Sequence, residues 1–462
     1  MTNSKTDMLL AAALANDPRV GQAKNLLQEA VKDHQKKITG IRPANAALKE
    51  NYKKLLDGYA NVRGCKLWLP YLGSGFGKGP LVELEDGSIK YDFISGIGPH
   101  YWGHSHPDII SSGIDAALSD IVMQGNLQQN KDAFELSEML VNLSKLDHCF
   151  LTTTGGMANE NALKLIFQKK YPACRVLAFD HCFMGRTITL SQITDKPAYR
   201  DGIPLNTLVD YIPFYDPKDP EKSTANSIQV LKKCLHRYPK EYAVMCIELI
   251  QGDGGFYTAP REFFLAVIEV LKSHNITIFI DEVQTFGRTE ELFAFQTFKL
   301  QDYVDVVTLG KMSQACATLY TKEYNPRPGL LSQTFIASTS AIRAGKVIIS
   351  GLVNEGFFGP EGKINQISKY LIKKVEDLAK RYPKIIEGPF GAGTMVAFTA
   401  FGGDAQKATK FVLDLFDAGV LAFITGSEPT RVRFLVPAGV VTNEDIDNVM
   451  AIVEDVIKRI TL

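Results

Sequence analysis

Residues 276–311 constrain the fold more than any other part of the sequence. The run Ile276–Ile280 is apolar and rich in β-branched side chains, and Asp281 follows it. A second apolar run, Val304–Leu309, leads through a glycine to Lys311. Such runs are typical of strands buried on both faces of a parallel sheet. Since the carboxyl ends of parallel strands meet at one edge, the sequence predicts an acid and an amine at the ligand-binding edge of the sheet.

The chain between residues 116 and 345 alternates strand-like with helix-like segments. Helical candidates include Ala158–Lys170 and Pro260–His274, the latter with proline where the first turn of a helix accepts it. A repeated strand–helix order predicts a mostly parallel sheet with helices on both faces. We therefore expect an α/β fold whose large domain spans residues 116–345. Further strand candidates are Cys149–Thr153, Val176–Phe179 and Ala243–Ile247.

The two ends of the chain are expected to lie outside this large domain. Residues 1–60 carry apolar side chains at three-to-four spacing, which predicts a helical extension packed on the body or on a partner subunit. Residues 61–115 and 346–462 mix helices with short strands. They predict a smaller α+β domain formed by the N- and C-terminal segments. Its strand candidates include Thr394–Phe398 and Arg431–Leu435.

The charge balance argues against a polyanionic partner. Basic and acidic residues each number 51, so no overall field attracts nucleic acid or an acidic membrane. The apolar patch near the N-terminus is too short to span a membrane and is flanked by Asp7 and Asp17. The seven cysteines form no CxxC pair, so we predict neither a disulfide framework nor a zinc site. We expect a cytoplasmic protein that acts on small molecules.

Two segments near the N-terminal third carry weaker signals. Gly73–Gly79 has the glycines of a phosphate loop but lacks the preceding strand and following helix, so we predict a flexible loop. Leu81–Tyr91 predicts a β-hairpin that turns at Asp86 and Gly87.

A histidine cluster follows this hairpin. His100, His104 and His106 lack the carboxylates and the helical spacing of common metal ligands. We therefore predict a turn beside the active site and no metal.

Another glycine-containing segment stands in the context that anion binding requires. Thr152–Gly156 follows a strand candidate and opens a helix candidate, which favours a phosphate at the free backbone N–H groups. A plain strand-to-helix turn is the alternative interpretation of this segment. For Asp281 the alternative is an acid that caps the next helix, and for Lys311 it is a lysine on the surface. Enzymes that use pyridoxal phosphate combine a Schiff-base lysine with an acid at the pyridinium nitrogen. The three features together therefore favour that cofactor.

These motifs stand in the order seen in one family. The chain resembles the class III aminotransferases of the pyridoxal-phosphate fold-type I group, over roughly residues 80–460. Within that family it is most similar to the ω-amino-acid branch, which includes lysine 6-, ornithine, acetylornithine and 4-aminobutyrate aminotransferases. The segment Lys311–Tyr320 and residues 190–203 favour the lysine 6-aminotransferases.

The resemblance implies which residues hold the cofactor. Lys311 matches the lysine that binds the cofactor covalently and then moves a proton between substrate and cofactor. Asp281 matches the acid that keeps the pyridine nitrogen protonated, and Gln284 matches the residue near the 3′ oxygen. Gly155 and Gly156 match the phosphate-binding pair.

Two further matches concern the cofactor ring and the neighbouring subunit. Phe183 matches the aromatic residue that stacks on the cofactor. Thr334 matches a threonine that reaches the phosphate in the neighbouring subunit. The resemblance therefore implies a homodimer with shared active sites.

The resemblance also implies three substrate-binding residues. Arg186 matches an arginine that some members use for a substrate carboxylate, and Arg433 matches the one that binds the α-carboxylate of glutamate or 2-oxoglutarate. Glu248 matches the glutamate that pairs with Arg433 when an ω-amine substrate is bound. Arginine suits a carboxylate because its donors form a planar fork.

The chain departs from the family at four places. Met157 stands where a glutamate is common, Met184 where a histidine is usual, and Leu249 where a proline is common. The loop over residues 284–289 has lost a glycine. None of these changes removes a residue that the core chemistry needs.

Taken together, the sequence predicts a pyridoxal-phosphate-dependent aminotransferase. It would move the terminal amine of an ω-amino acid, of the lysine, ornithine or 4-aminobutyrate type, to 2-oxoglutarate by ping-pong half-reactions. The alternatives are an aminomutase or decarboxylase on the same fold, and a non-catalytic binding protein. The retained Lys311 and Asp281 argue against the last of these.

Overall fold

A computed structural model of the chain describes residues 8–120 and 127–461. Within these ranges the strands are β1 (Gly73–Lys78), β2 (Leu81–Leu84), β3 (Ile89–Asp92), β4 (His148–Thr152), β5 (Arg175–Phe179), β6 (Val209–Ile212), β7 (Tyr242–Ile247), β8 (Thr277–Glu282), β9 (Val306–Leu309), β10 (Cys316–Tyr320), β11 (Ile386–Ala392), β12 (Met395–Ala400), β13 (Val420–Leu421), β14 (Phe423–Thr425) and β15 (Arg431–Leu435). The α-helices are α1 (Leu10–Ala15), α2 (Pro18–Gln35), α3 (Lys49–Arg63), α4 (Pro107–Ala117), α5 (Lys131–Ser144), α6 (Gly155–Lys170), α7 (Ile188–Ile193), α8 (Pro197–Arg200), α9 (Pro220–Arg237), α10 (Arg261–Ser273), α11 (Ala294–Thr297), α12 (Thr339–Asn354), α13 (Lys363–Arg381), α14 (Ala405–Ala418) and α15 (Asn443–Thr461).

The largest sheet has seven strands in the order β6-β5-β7-β8-β9-β10-β4. The strands from β6 to β9 pair in parallel, whereas β10 is antiparallel to both of its neighbours. Every residue of β5, β7, β8 and β9 is buried, as expected for strands that helices cover on both faces. The prediction of an α/β fold with a mostly parallel sheet is confirmed.

Alternate side chains of the central strands pack on opposite faces of this sheet. In β8, Ile278 and Ile280 join the larger apolar cluster, which also contains Phe264 of α10. Phe279 joins the second cluster together with Ile166 of α6. This alternation is the two-residue period of a strand, and it decides which way the residues at the end of β8 point.

Two four-stranded sheets flank the large one, in the orders β1-β2-β3-β13 and β11-β12-β15-β14. In the first sheet, β13 from the C-terminal part of the chain pairs in parallel with β3 from the N-terminal part. A smaller α+β unit formed by both ends of the chain is thereby confirmed. The residue boundaries expected for the domains (1–60, 61–115 with 346–462, and 116–345) stay a prediction, and residues 1–7 and 121–126 lie outside the described ranges.

The prediction of a flexible loop over Gly73–Gly79 is wrong, because this segment contains strand β1. It pairs antiparallel with β2, with an irregular register between Gly73 and Gly77, and Gly75 has a φ of +87°. A methyl group on Gly77 would lie 2.5 Å from His104 Cβ, so glycine lets the strand pass close to that side chain. The hairpin predicted next to it is confirmed by the antiparallel β2–β3 pair.

Helix α2 of the N-terminal extension packs on the body of the protein. Lys24 forms an ion pair with Asp115 at 2.8 Å, and Gln28 Nε2 donates to the Pro107 carbonyl at 2.7 Å. Gln35 Nε2 donates to backbone carbonyls at the start of α4 and in β1. Among the helices in the described part of the chain, none has the length and apolar character needed to cross a membrane.

Candidate active site

Strand β8 directs two neighbouring acids to opposite faces of the large sheet. Phe279 packs on the α6 side, so Asp281, two residues later, faces α6 as well. Glu282 faces the other side, where its carboxylate accepts the backbone N–H groups of Ala294 and Phe295 at 2.9 and 2.8 Å. Glu282 therefore holds the start of α11, whereas Asp281 lines the cavity.

Asp281 is buried and held by two hydrogen bonds. Its Oδ1 accepts the Val283 N–H at 2.8 Å, and its Oδ2 accepts Asn159 Nδ2 at 2.7 Å. Asn159 is itself fixed, because its Oδ1 accepts the Thr308 hydroxyl at 2.6 Å. Burial raises the pKa of Asp281, and the two hydrogen bonds oppose that rise. Asn159 was not predicted from the sequence, because its burial follows from the packing of α6 on β8 and β9.

Lys311 follows β9 and opens a single 3₁₀ turn with a strained backbone. Its φ is +55°, which is rare for a residue with a side chain and is a mark of functional sites. Burial and the positive charge of Arg433 lower the pKa of Lys311 to about 8, against the opposing pull of Asp281 and Glu248. At pH 7 roughly a tenth of its amine is therefore neutral, far more than for an ordinary lysine.

The predicted anion site falls at the start of α6. Thr154 caps the helix, its hydroxyl oxygen accepting the Met157 N–H at 3.1 Å. The first N–H groups of a helix have no partner within it, so those of Gly155 and Gly156 suit a phosphate. A methyl group on Gly155 would lie 2.8 Å from Val283 Cγ1, so a side chain would not fit there.

These groups surround one cavity of about 300 Å³. Apart from Arg433 and Thr334, all the predicted site residues line it. They are Gly155, Gly156, Phe183, Arg186, Glu248, Asp281, Gln284 and Lys311. Arg433 approaches from β15 and lies 3.4 Å from Gln284 Oε1. Thr334 is exposed and lies in the segment that precedes α12.

The expected pair between Glu248 and Arg433 is not formed in this structure. The Glu248 carboxylate accepts the N–H groups of Phe183 and Gly252 at 2.7 and 2.9 Å, and burial next to other acids raises its pKa to about 8. Arg433 Nη1 donates to the Gly252 carbonyl at 2.6 Å. The carboxylate that reaches Arg433 is Asp253, with its Oδ1 4.0 Å from Nη2. The sequence analysis missed Asp253.

A tyrosine, also missed, joins two of the predicted residues at the mouth of the cavity. Arg186 Nη2 donates to the Tyr199 hydroxyl at 2.8 Å, and the guanidinium lies 4.1 Å from the ring centroid. The Tyr199 ring also meets Phe183 edge to face at 6.2 Å. Nearby, Lys196 pairs with Asp253 at 2.5 Å. The carboxylate beside Arg433 is therefore shared with a second cation.

The histidine turn reaches the site, as predicted. His104 Nε2 lies 3.0 Å from Asp92 Oδ2, and the His100 ring packs on the His104 ring. Gly98, in the same turn, lies so close to Lys311 that a methyl group there would be 3.4 Å from its Cδ.

The departures from the family pattern lie around the cavity rather than at its reacting groups. Met184 lines the cavity and is buried, and its carbonyl accepts a hydrogen bond from Asn159. Leu249 is buried in the larger apolar cluster. The loop over residues 284–289 is a series of turns, in which the Phe286 N–H donates to the Glu282 carbonyl at 3.0 Å.

The residues around the cavity fit pyridoxal phosphate. A buried carboxylate suits a pyridinium nitrogen, a helix start suits a phosphate, and an amine of lowered pKa suits covalent attachment to an aldehyde. Asp281, Gly155 and Lys311 supply these three features in one cavity.

Comparison with known proteins agrees with this geometry. The family model described as aminotransferase class-III matches residues 75–457. Acetylornithine aminotransferases from Methanocaldococcus jannaschii and Caldanaerobacter subterraneus are 29% and 28% identical, over 83% of this chain and 93% and 94% of the relatives.

Solved structures show the same fold. A lysine aminotransferase from M. tuberculosis in the internal aldimine form has a TM-score of 0.78 at 22% identity, over 87% of this chain and 99% of that one. An ornithine aminotransferase from Toxoplasma gondii has a TM-score of 0.75 at 21% identity, over 88% of this chain and 95% of that one. Since the family model covers most of the chain, the protein belongs to the class III aminotransferases, which are pyridoxal-phosphate enzymes.

Proposed function

We propose that the protein moves the terminal amine of an ω-amino acid, of the lysine, ornithine or 4-aminobutyrate type, to 2-oxoglutarate in two half-reactions. One observation carries the proposal. Lys311 lines the cavity, and Arg433 lies 3.4 Å from Gln284, which lines it too, so an amine and a carboxylate of the same substrate have separate partners there. Pyridoxal phosphate, when bound, supplies the electron sink for amine exchange.

The proposed cofactor contacts use groups that the fold already holds in place. Asp281 would hold the pyridine nitrogen, the start of α6 at Gly155 and Gly156 would hold the phosphate, and Phe183 would cover the ring. Gln284 would interact with the ring oxygen. Asn159 fixes Asp281 through the 2.7 Å hydrogen bond and thereby fixes the position of the ring.

Lys311 acts as the base at the substrate carbon that bears the amine. Its lowered pKa, about 8, lies near the operating pH, which is the condition for efficient proton transfer. Lys311 lines the cavity together with Asp281 and Glu248.

Substrate carboxylates bind to the two arginines. Arg433 takes the α-carboxylate of 2-oxoglutarate, and Arg186, at the exposed mouth, takes a second carboxylate. We assign the carboxylate that neutralises Arg433 in the other half-reaction to Asp253 rather than to Glu248. Asp253 is the acid within 4.0 Å, whereas both oxygens of Glu248 are engaged by backbone N–H groups.

The names of the relatives support the substrate class without selecting one donor. Acetylornithine, lysine and ornithine, which appear in those names, all carry an amine at the end of the side chain. The family match and the Arg433 site are compatible with each of them.

We also propose a homodimer with shared active sites. Thr334 is exposed, and the neighbouring Phe335 exposes 57% of its surface, which suits a segment covered by a partner. Thr334 would reach the phosphate in the partner's site.

A donor screen tests the proposal. Purified protein with pyridoxal phosphate and 2-oxoglutarate is given lysine, ornithine, N-acetylornithine or 4-aminobutyrate, and glutamate is measured. We expect glutamate from at least one donor, and consumption of the donor to stop after one half-turnover when 2-oxoglutarate is left out. Continued consumption without 2-oxoglutarate would replace the proposal with an aminomutase or a decarboxylase.

The matched control for this screen is Lys311→Ala. Borohydride reduction followed by mass spectrometry should find pyridoxal phosphate attached to residue 311 in the wild type only. Attachment at another lysine would contradict the assignment of Lys311.

A further inference from the structure

Arg288 is a fully buried cation whose partners are all uncharged. Its side chain is 1% exposed. Nη1 donates to the Val436 carbonyl at 3.2 Å and Nη2 to the Gly98 carbonyl at 2.9 Å, and the Tyr101 ring lies 5.1 Å away. In the described part of the chain no carboxylate forms an ion pair with it. Burial lowers the pKa of Arg288 to about 10, so it stays protonated at physiological pH.

A buried arginine without a counter-charge is costly and calls for an explanation. A neutral hydrogen-bond donor would be enough if the side chain served only to link two carbonyl groups. The position of Arg288 supplies the explanation, because the guanidinium and the Lys311 side chain pack on the same glycine. A methyl group on Gly98 would lie 3.1 Å from Arg288 Nη2 and 3.4 Å from Lys311 Cδ.

Five titratable groups face Lys311. Burial raises the pKa of the Cys316 thiol on β10 to about 11, so it adds no charge near neutral pH. The remaining groups are Asp281 on β8, Glu248 after β7, Arg433 on β15 and Arg288 on the loop after β8.

The two arginines differ in how constant their charge is. Under the proposed function, Arg433 meets a substrate carboxylate in one half-reaction and Asp253 in the other, so its effect on Lys311 is screened. Arg288 Nη1 and Nη2 donate to the carbonyl groups of Val436 and Gly98, and the side chain does not line the cavity. Its charge therefore remains through the whole cycle.

We propose that Arg288 is a positioning residue whose fixed positive charge favours the neutral, reactive form of the Lys311 amine whatever substrate is bound. The inference rests on the proposed function, since it takes Lys311 as the reacting amine. A like charge at this range in a buried site disfavours the protonated amine. The two carbonyl contacts hold the guanidinium at a constant distance from it.

The test measures the protonation of Lys311 in the protein without cofactor. Competitive acetylation across pH 6–11, with peptide mass spectrometry of residue 311, gives the midpoint at which the amine becomes neutral. The variants are Arg288→Gln, which removes the charge, and Arg288→Lys, which keeps a charge but loses the two-pronged contact. Arg288→Met is a second neutral variant in case the glutamine variant does not fold. Circular dichroism and thermal unfolding monitor folding.

We expect the neutral variants to raise the midpoint by about one pH unit, which is a tenfold loss of neutral amine at a given lower pH. Arg288→Lys should stay within a few tenths of a unit of the wild type. A midpoint unchanged in the neutral variants, or an equal shift in all three, would overturn the inference and leave Arg288 a structural staple. A failure of the proposed function is seen separately, because the wild type would then not attach pyridoxal phosphate to residue 311.

Discussion

Asn159 Nδ2 donates a hydrogen bond to Asp281 Oδ2 across 2.7 Å, and the same amide nitrogen donates to the Met184 carbonyl at 2.6 Å. Both hydrogens of the amide are thereby used. The Thr308 hydroxyl donates to its oxygen, so the orientation of the amide is fixed. The Asp281 carboxylate is therefore positioned by helix α6, which carries Asn159, and by strand β9, which carries Thr308.

The first prediction concerns this amide. Asn159→Ala should weaken binding of pyridoxal phosphate about tenfold or more, because a hydrogen bond to a buried charged group contributes about 1.5–3 kcal/mol. The dissociation constant is measured by titrating the cofactor-free protein. Asn161→Ala is the matched control, since Asn161 is buried on the same helix and its Nδ2 has no partner among the described residues. Equal losses in the two variants would contradict a specific role for Asn159.

The second prediction concerns the pH dependence of the reaction. Lys311 must be neutral to take a proton, and its pKa is about 8. We expect kcat for the donor half-reaction to fall about tenfold per pH unit as the pH drops below about 8 and to level off above it. Single-turnover absorbance measurements from pH 6 to 9.5 give this profile. A rate that is constant between pH 6 and 8 would show that another group is the base.

The third prediction separates the two candidate partners of Arg433. If Asp253 neutralises Arg433 while an ω-amine donor is bound, Asp253→Asn should lower kcat/KM for the donor about tenfold more than kcat/KM for glutamate. Glu248→Gln should lower both values by similar factors, because its oxygens hold backbone groups. The opposite result would restore the pairing expected from the sequence.

The fourth prediction concerns Glu248 and stability. Burial raises its pKa to about 8 from an ordinary value of 4.5, so between these values the folded protein keeps a proton that the unfolded chain has released. Its contribution to the free energy of unfolding is thus full below about pH 4.5 and is lost as the pH rises towards 8. Glu248→Gln should flatten this fall.

Urea unfolding at pH 5, 7 and 9 measures the effect. The glutamine variant should be less stable than the wild type by about 1 kcal/mol at pH 5, because its amide nitrogen cannot accept the second backbone N–H, whereas the hydroxyl oxygen of the protonated acid still can. The difference should shrink or reverse at pH 9. A difference that is the same at every pH would show that Glu248 titrates normally in the folded state.

The features that follow from local pattern were predictable. The apolar runs before Asp281 and Lys311 located two central strands, and the shared edge of a parallel sheet then placed an acid and an amine together. The glycines at the start of α6 were recognisable because a strand precedes them and a helix follows. Both inferences depend only on residues that are close together in the sequence.

The features that were missed depend on packing between distant segments. Asp253 and Glu248 are five positions apart, and only the path of the loop after β7 decides which carboxylate reaches Arg433. The sequence did not single out Arg288, because the groups that it binds are the backbone carbonyls of Gly98 and Val436, which are distant in the sequence. The same holds for β1, whose glycine-rich sequence disfavours a strand until β2 pairs with it.

The fifth prediction tests whether two chains share each active site. Thr334→Asp should lower activity at least about tenfold, since a carboxylate near the cofactor phosphate repels it. Lys311→Ala is inactive for a different reason. A mixed dimer of the two variants contains one site with a native Lys311 from one chain and a native Thr334 from the other.

Mixing the two inactive variants after mild denaturation should therefore recover roughly a quarter of wild-type activity, since random pairing makes half of the dimers mixed and one site in each is intact. Ser332→Asp is the control, because Ser332 lies in the same exposed segment and should keep activity by itself. If Thr334 acted within its own chain, the one site of the mixed dimer that keeps Lys311 would carry the Thr334→Asp change, and the other site would lack Lys311. The mixture would then recover nothing.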